Sequence, residues 1–139
     1  MIYLSRKEHF NAAHKLFNPT WSLEKNKEVF GACANENFHG HNFELIVTVK
    51  GEIDLETGFC INLKTLSKLI REEVTEKLDH KNLNMDVDFL SGKMASTENL
   101  AMGIWNILSP KIKAISGACT LYSVKIYETP RNFVEYLGG

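Results

Sequence analysis

The stretch HGHNFELIVTVK, residues 39–50, restricts the fold more than any other part of the chain. Phe43, Leu45, Val47 and Val49 take the odd positions, and Asn42, Glu44, Thr48 and Lys50 the even ones. A period of two puts alternate side chains on opposite faces. The segment therefore reads as a strand with one face in a core and the other toward water. His39 and His41 share the odd parity and open the apolar face, with Gly40 between them. Two histidines there fit packing and hydrogen bonding as well as they fit metal binding.

The remaining segments arrange themselves around that strand. Ile2 to His14 reads as a second strand, with Ile2, Leu4, Phe10 and Ala12 on one face and His14 closing it. His9 falls on the other face and reads as an ordinary surface histidine. Residues 18–38 are polar and turn-rich, which predicts a long functional loop. A turn over Gly51–Gly58 leads to a short returning strand at Phe59–Ile61. Leu63, Leu66, Leu69, Ile70, Val74 and Leu78 follow helical spacing over residues 62–78. Residues 79–95 read as a loop. Ser96 or Thr97 caps a second helix that ends near Pro110. Strands at Thr120–Glu128 and Phe133–Leu137 finish the chain, with Pro130 and Asn132 in their turn.

The order β-β-β-α-α-β-β predicts an α+β fold, an antiparallel sheet with two helices on one face. Such a sheet has edges to hide, and assembly is one way to hide them. At 139 residues the chain fits one domain, residues 1–139. Its net charge of −1 gives no reason to expect bulk nucleic-acid or membrane affinity. Its apolar runs are too short to span a bilayer, and MIYLSRKEHF lacks a signal-peptide core. Cys33, Cys60 and Cys119 are too few and too scattered for a disulfide framework, which points to a reducing cytoplasm.

Five groups of residues carry possible chemistry. His14 ends its strand on the apolar face, so it can join His39 and His41 if the two strands are neighbours. Three neutral imidazoles would hold a tetrahedral zinc with one open position, and they would also suit copper, iron or nickel. Cys33 as a fourth ligand would instead close the site and make it structural. Unligated, Cys33 could be a base or nucleophile, or simply a small buried residue. Asp79 could orient His80, as a carboxylate does in a triad, although both also suit a polar helix end. Glu128 lies on the more apolar side of its strand, where an unpaired acid is costly. A ligand with two adjacent N–H donors would satisfy it, as would a salt bridge or solvent. Ser96, Thr97 and Glu98 offer hydroxyls, a carboxylate and free N–H groups, or plain helix capping.

The strings FNAAHKL, VFGACANENFHGHNF, TGFCINLKTL, LDHKNLNMDV, ASTENLA and VKIYETPRN, in this order and spacing, resemble the 6-pyruvoyl-tetrahydropterin synthases over almost the whole chain. The resemblance implies the tunnelling fold. There, four-stranded antiparallel sheets from three subunits join into a barrel, and two trimers stack into a hexamer. It implies Zn2+ held by His14, His39 and His41. It implies a catalytic group of Cys33, Asp79 and His80, drawn from different subunits, with Glu128 anchoring the pterin ring. Thr97 and Glu98 lie in a block that contributes to the same pocket.

The implied activity is that of a carbon-oxygen lyase. Its substrate would be 7,8-dihydroneopterin triphosphate, from which triphosphate is eliminated with internal redistribution of side-chain hydrogens. The homologous 6-carboxy-tetrahydropterin synthases of queuosine biosynthesis are the close alternative. In those enzymes three residues typically intervene between the cysteine and the HGH string, whereas five, Ala34 to Phe38, intervene here. A non-enzymatic zinc module and a zinc hydrolase are rival classes. Asn11 and Ala32 stand where the family often has serine and lysine. Lys15, Lys25, Lys27 and Arg131 are available for the triphosphate, with nothing in the sequence to rank them.

Overall fold

The computed structural model describes residues 1–139. Its elements are β1 (Ile2–His14), α1 (Leu23–Phe30), β2 (His39–Gly51), α2 (Leu63–Ile70), α3 (Glu76–Leu78), β3 (Lys81–Asn82), α4 (Thr97–Ile115), β4 (Cys119–Tyr127) and β5 (Phe133–Tyr136). A π-helical stretch, Arg71–Thr75, joins α2 to α3. The sheet order is β3-β1-β2-β4-β5, antiparallel throughout except for the parallel β3–β1 pair. The fold is α+β, as expected.

β1 and β2 pair along their full length, from Ile2 opposite Gly51 to His14 opposite His39. Partners across an antiparallel ladder share a face. The register therefore sets Phe10 against Phe43, Ala12 against His41 and His14 against His39 on the helix-covered side. The Phe10 and Phe43 rings stack with centroids 4.9 Å apart. Leu45, Val47 and Val49 continue that face into the core, where they meet Leu66, Ile70, Val74 and Leu78 of the α2–α3 run. Leu100, Ile104, Leu108 and Ile112 of α4 complete the cluster, all fully buried. Each such side chain contributes about 1.5–3 kcal/mol relative to exposure. The stacked phenylalanines form the floor on which the histidines stand.

Several local expectations are corrected. Residues 18–38 are not a plain loop. Ser22 caps α1 by accepting from Lys25 N–H, and the buried Asn26 side chain bonds the carbonyls of Asn18 and Ser22. Phe59–Ile61 form no strand. Asp54 makes a turn with the N–H groups of Glu56 and Thr57, and Cys60 and Ile61 are buried as anchors ahead of the Asn62 cap. The loop at 79–95 contributes the two-residue β3 as a fifth, parallel strand. The second helix runs through Pro110 to Ile115. Proline at 110 leaves the Asn106 carbonyl without its helical partner, but both residues are exposed, so water can take the place of the lost bond.

Strand β4 does not keep even parity along its length. Thr48 pairs with Ser123 but Val49 with Leu121, so Tyr122 is an extra residue. Leu121 is therefore buried before this irregularity, and Val124 and Ile126 after it. From Val124 onward the even positions face the core, which directs Glu128, just past the strand end, toward the histidines.

Candidate active site

His14, His39 and His41 converge where β1 ends and β2 begins. One ligand atom from each lies within 4.8 Å of the other two. His14 is 2% exposed and its Nδ1 lies 2.7 Å from the Ala95 carbonyl oxygen. A carbonyl only accepts, so Nδ1 carries the proton and Nε2 keeps its lone pair. That Nε2, His39 Nδ1 and His41 Nε2 are buried and have no hydrogen-bond partner. Buried polar atoms are rarely left so, and three such atoms facing one point fit a cation. Burial is the first cause that holds all three histidines below the ordinary value of 6.5, which favours neutral rings with free lone pairs. The Cys33 thiol lies outside this donor group.

Glu128 borders the triad. Its Oε1 lies 3.6 Å from His41 Nε2, and its Oε2 lies 4.0 Å from His14 Nε2. Thr97, buried in the first turn of α4, donates from Oγ1 to Glu128 Oε2 at 2.5 Å. Ser96 is the helix cap, accepting from Asn99 N–H. Glu98 is exposed and its side chain joins no hydrogen bond, so Thr97 reaches the centre and Glu98 does not.

Cys33 occupies a 3-10 turn, Gly31–Ala34. Its carbonyl accepts Leu16 N–H at 2.8 Å, which ties the turn to the chain two residues past His14. Phe38, immediately before His39, has φ +68°, a left-handed conformation that turns the chain sharply into β2.

Asp79 and His80 do touch. His80 Nδ1 is 2.9 Å from Asp79 Oδ2. The other carboxylate oxygen accepts Asn11 N–H at 2.8 Å, and His80 N–H donates to the Asn11 carbonyl at 2.7 Å. Asn11 main chain thus grips the dyad at both residues. The grip holds His80 at φ +61°, a conformation costing a non-glycine residue on the order of 1 kcal/mol or more. The Asn11 N–H bond comes first, then His80, in holding the Asp79 carboxyl below its ordinary range. The His80 side chain is 80% exposed. The dyad lines a cavity of about 690 Å³ with His9, Asn11, Glu44 and Tyr127, on the helix-free side of the sheet. Cys33 is not part of that lining, and no hydrogen bond joins its thiol to the dyad. One chain thus brings the histidines, Glu128 and Thr97 together, and presents Asp79–His80 elsewhere.

The roles of Ala95 and Asn11 escaped sequence reasoning, which noted Asn11 only as a departure from the family's serine, because each acts through its main chain, which every residue type possesses. Asn11 Nδ2 only donates to Asn42 Oδ1 across the wet face.

A family model described as 6-pyruvoyl tetrahydropterin synthase matches residues 3–139. The chain belongs to that family. The 6-pyruvoyl tetrahydrobiopterin synthase of Homo sapiens is 44% identical over 135 residues, covering 97% of this chain and 90% of that one. The solved 6-pyruvoyl tetrahydropterin synthase of Caenorhabditis elegans superposes with TM-score 0.87 at 35% identity, over 99% of this chain and 96% of that one. The 6-carboxy-5,6,7,8-tetrahydropterin synthase of Bacillus subtilis is more distant, at 27% over 135 residues, covering 96% of this chain and 83% of that one. No helix is long and apolar enough to cross a membrane.

Proposed function

We propose that this family member is a zinc-dependent 6-pyruvoyl-tetrahydropterin synthase, one domain spanning residues 1–139, acting on 7,8-dihydroneopterin triphosphate. The reading rests on one observation above all, three partnerless buried imidazole nitrogens beside Glu128 in a chain of this family. Its relatives named for the pyruvoyl product, and the five residues between Cys33 and His39, support that product over the carboxy one.

Each residue answers a separate demand. His14, His39 and His41 would hold Zn2+, which supplies Lewis-acid polarisation of side-chain oxygens and so acidifies neighbouring C–H bonds. Glu128, steadied by Thr97, would accept two adjacent N–H groups of the pterin and fix the ring against the histidine cluster. Cys33 would take a proton from the side chain as general base. His80, held by Asp79, would return a proton. Glu98 would serve the pocket only across a subunit boundary.

Because Asp79–His80 and Cys33 do not meet within one chain, the complete centre would form between copies. The outer edge of β1 is unpaired before Asn11, and the outer edge of β5 is free. Antiparallel joining of such edges would build a trimeric barrel, and two trimers a hexamer. Three free cysteines support a reducing, cytoplasmic setting.

Supplying 7,8-dihydroneopterin triphosphate to zinc-loaded protein and identifying the products is the test. Triphosphate with 6-pyruvoyl-tetrahydropterin is expected. The 6-carboxy product with acetaldehyde would transfer the chain to the sister activity, and no release of triphosphate from zinc-loaded protein would end the enzyme reading.

A further inference from the structure

The pterin-synthase reading leaves open which cation receives the triphosphate, and of the four candidates Lys15 is the one adjacent to the histidine cluster. Glu128 comes within 4.0 Å of His14 and His41 but not of His39. A substrate whose ring sits on Glu128 and whose side chain passes the histidines therefore runs outward past His39. Arg131 belongs to the exposed β4–β5 turn, three residues beyond Glu128, and so lies at the ring end of that path. Lys25 and Lys27 ride on α1, and the Lys25 ammonium rests 4.3 Å from the centroid of the Trp21 ring.

Lys15 stands at the other end. It follows His14 directly, and the Asn84 side chain pins its main chain at both N–H (2.8 Å) and C=O (3.0 Å). Its Nζ lies 4.7 Å from the ring centroid of Phe38, the residue before His39, and 5.3 Å from that of Phe17. It makes one long bond, 3.5 Å, to the Glu36 carbonyl, and no carboxylate neutralises it. Aromatic faces and a carbonyl orient an ammonium without cancelling its charge. With three N–H donors and one used, two remain for an anion. The ammonium is thus oriented at the surface between the two segments that carry His14 and His39.

We infer that Lys15 is a substrate-binding residue that receives the triphosphate chain, and that Glu128, the histidine cluster and Lys15 define the direction in which the substrate lies. This rests on the proposed activity for the identity of the ligand, but its test reads binding alone.

Calorimetry on zinc-loaded wild type, Lys15→Gln and Lys15→Arg would use two probes. Inorganic tripolyphosphate carries the phosphates without the ring, and 7,8-dihydroneopterin carries the ring without the phosphates. Lys15→Gln is expected to weaken tripolyphosphate by roughly tenfold or more, with 7,8-dihydroneopterin affinity and zinc content unchanged. Lys15→Arg is expected to recover most of the loss. Equal tripolyphosphate binding by Lys15→Gln and wild type would overturn the assignment. So would a parallel loss of both probes or of zinc, which would make Lys15 a packing residue. Failure of the activity reading would appear separately, as wild type that binds both probes and releases no triphosphate from the full substrate.

Discussion

Thr97 Oγ1 donates to Glu128 Oε2 across 2.5 Å, and this single bond joins the first turn of α4 to the end of β4 at the rim of the histidine cluster. One carboxylate oxygen is thereby occupied, and the other lies 3.6 Å from His41. A freely rotating acid would hold a ring less well than one fastened in this way.

Glu128→Ala should raise KM for 7,8-dihydroneopterin triphosphate by roughly tenfold or more, with little change in thermal unfolding. Thr97→Val, which frees the carboxylate without removing it, should produce a smaller rise in the same direction. Steady-state kinetics beside a melting curve would separate these effects, and an unaltered KM in Glu128→Ala would remove that residue from the ring site.

Metal removal should cost both stability and turnover. Chelation leaves three buried imidazole nitrogens unpartnered, so the melting temperature should fall by several degrees and return on adding zinc. Cys33→Ala should retain stoichiometric metal while turnover drops by about a hundredfold. Elemental analysis decides between roles, because metal loss in that variant would make Cys33 a ligand.

The shared centres proposed above predict complementation. Cys33→Ala and His80→Ala homo-oligomers should each be nearly inactive, whereas oligomers refolded from a mixture should regain turnover at centres that draw one intact group from each parent. Mixtures as inactive as the parents would place both groups in the same chain's centre.

Asp79 gives a pH signature. Its folded carboxyl titrates below the ordinary value of 3.8, chiefly through Asn11 N–H and then His80. A depressed folded value means stabilisation that is complete above the unfolded value and disappears as pH falls through the folded one. Wild type should therefore exceed Asp79→Asn in urea stability from about pH 5 upward, and the two should merge in stronger acid. A gap that widened on acidification would contradict the sign.

The sheet was legible wherever its period of two survived. Phe43, Leu45, Val47 and Val49 declare their face, and the parity of His14, His39 and His41 follows from the same counting. Their convergence depends on the β1–β2 register, which only pairing supplies. Tyr122 defeats the parity count in β4, because an irregularity leaves no mark in residue type. α1 was hidden since LEKNKEVF has few apolar residues, and its stability comes from Ser22 and a buried Asn26. The Asp79–His80 contact required a backbone turn that no spacing rule foretells.

β1 displays His14 on its inner face and, three residues earlier at Asn11, grips Asp79 and His80 along its edge. In the assembly proposed above, those two stations serve different reaction centres. A distortion of residues 11–14 in one copy would therefore be inherited by two neighbouring centres, so a few damaged chains in a mixed hexamer would silence more sites than their own number.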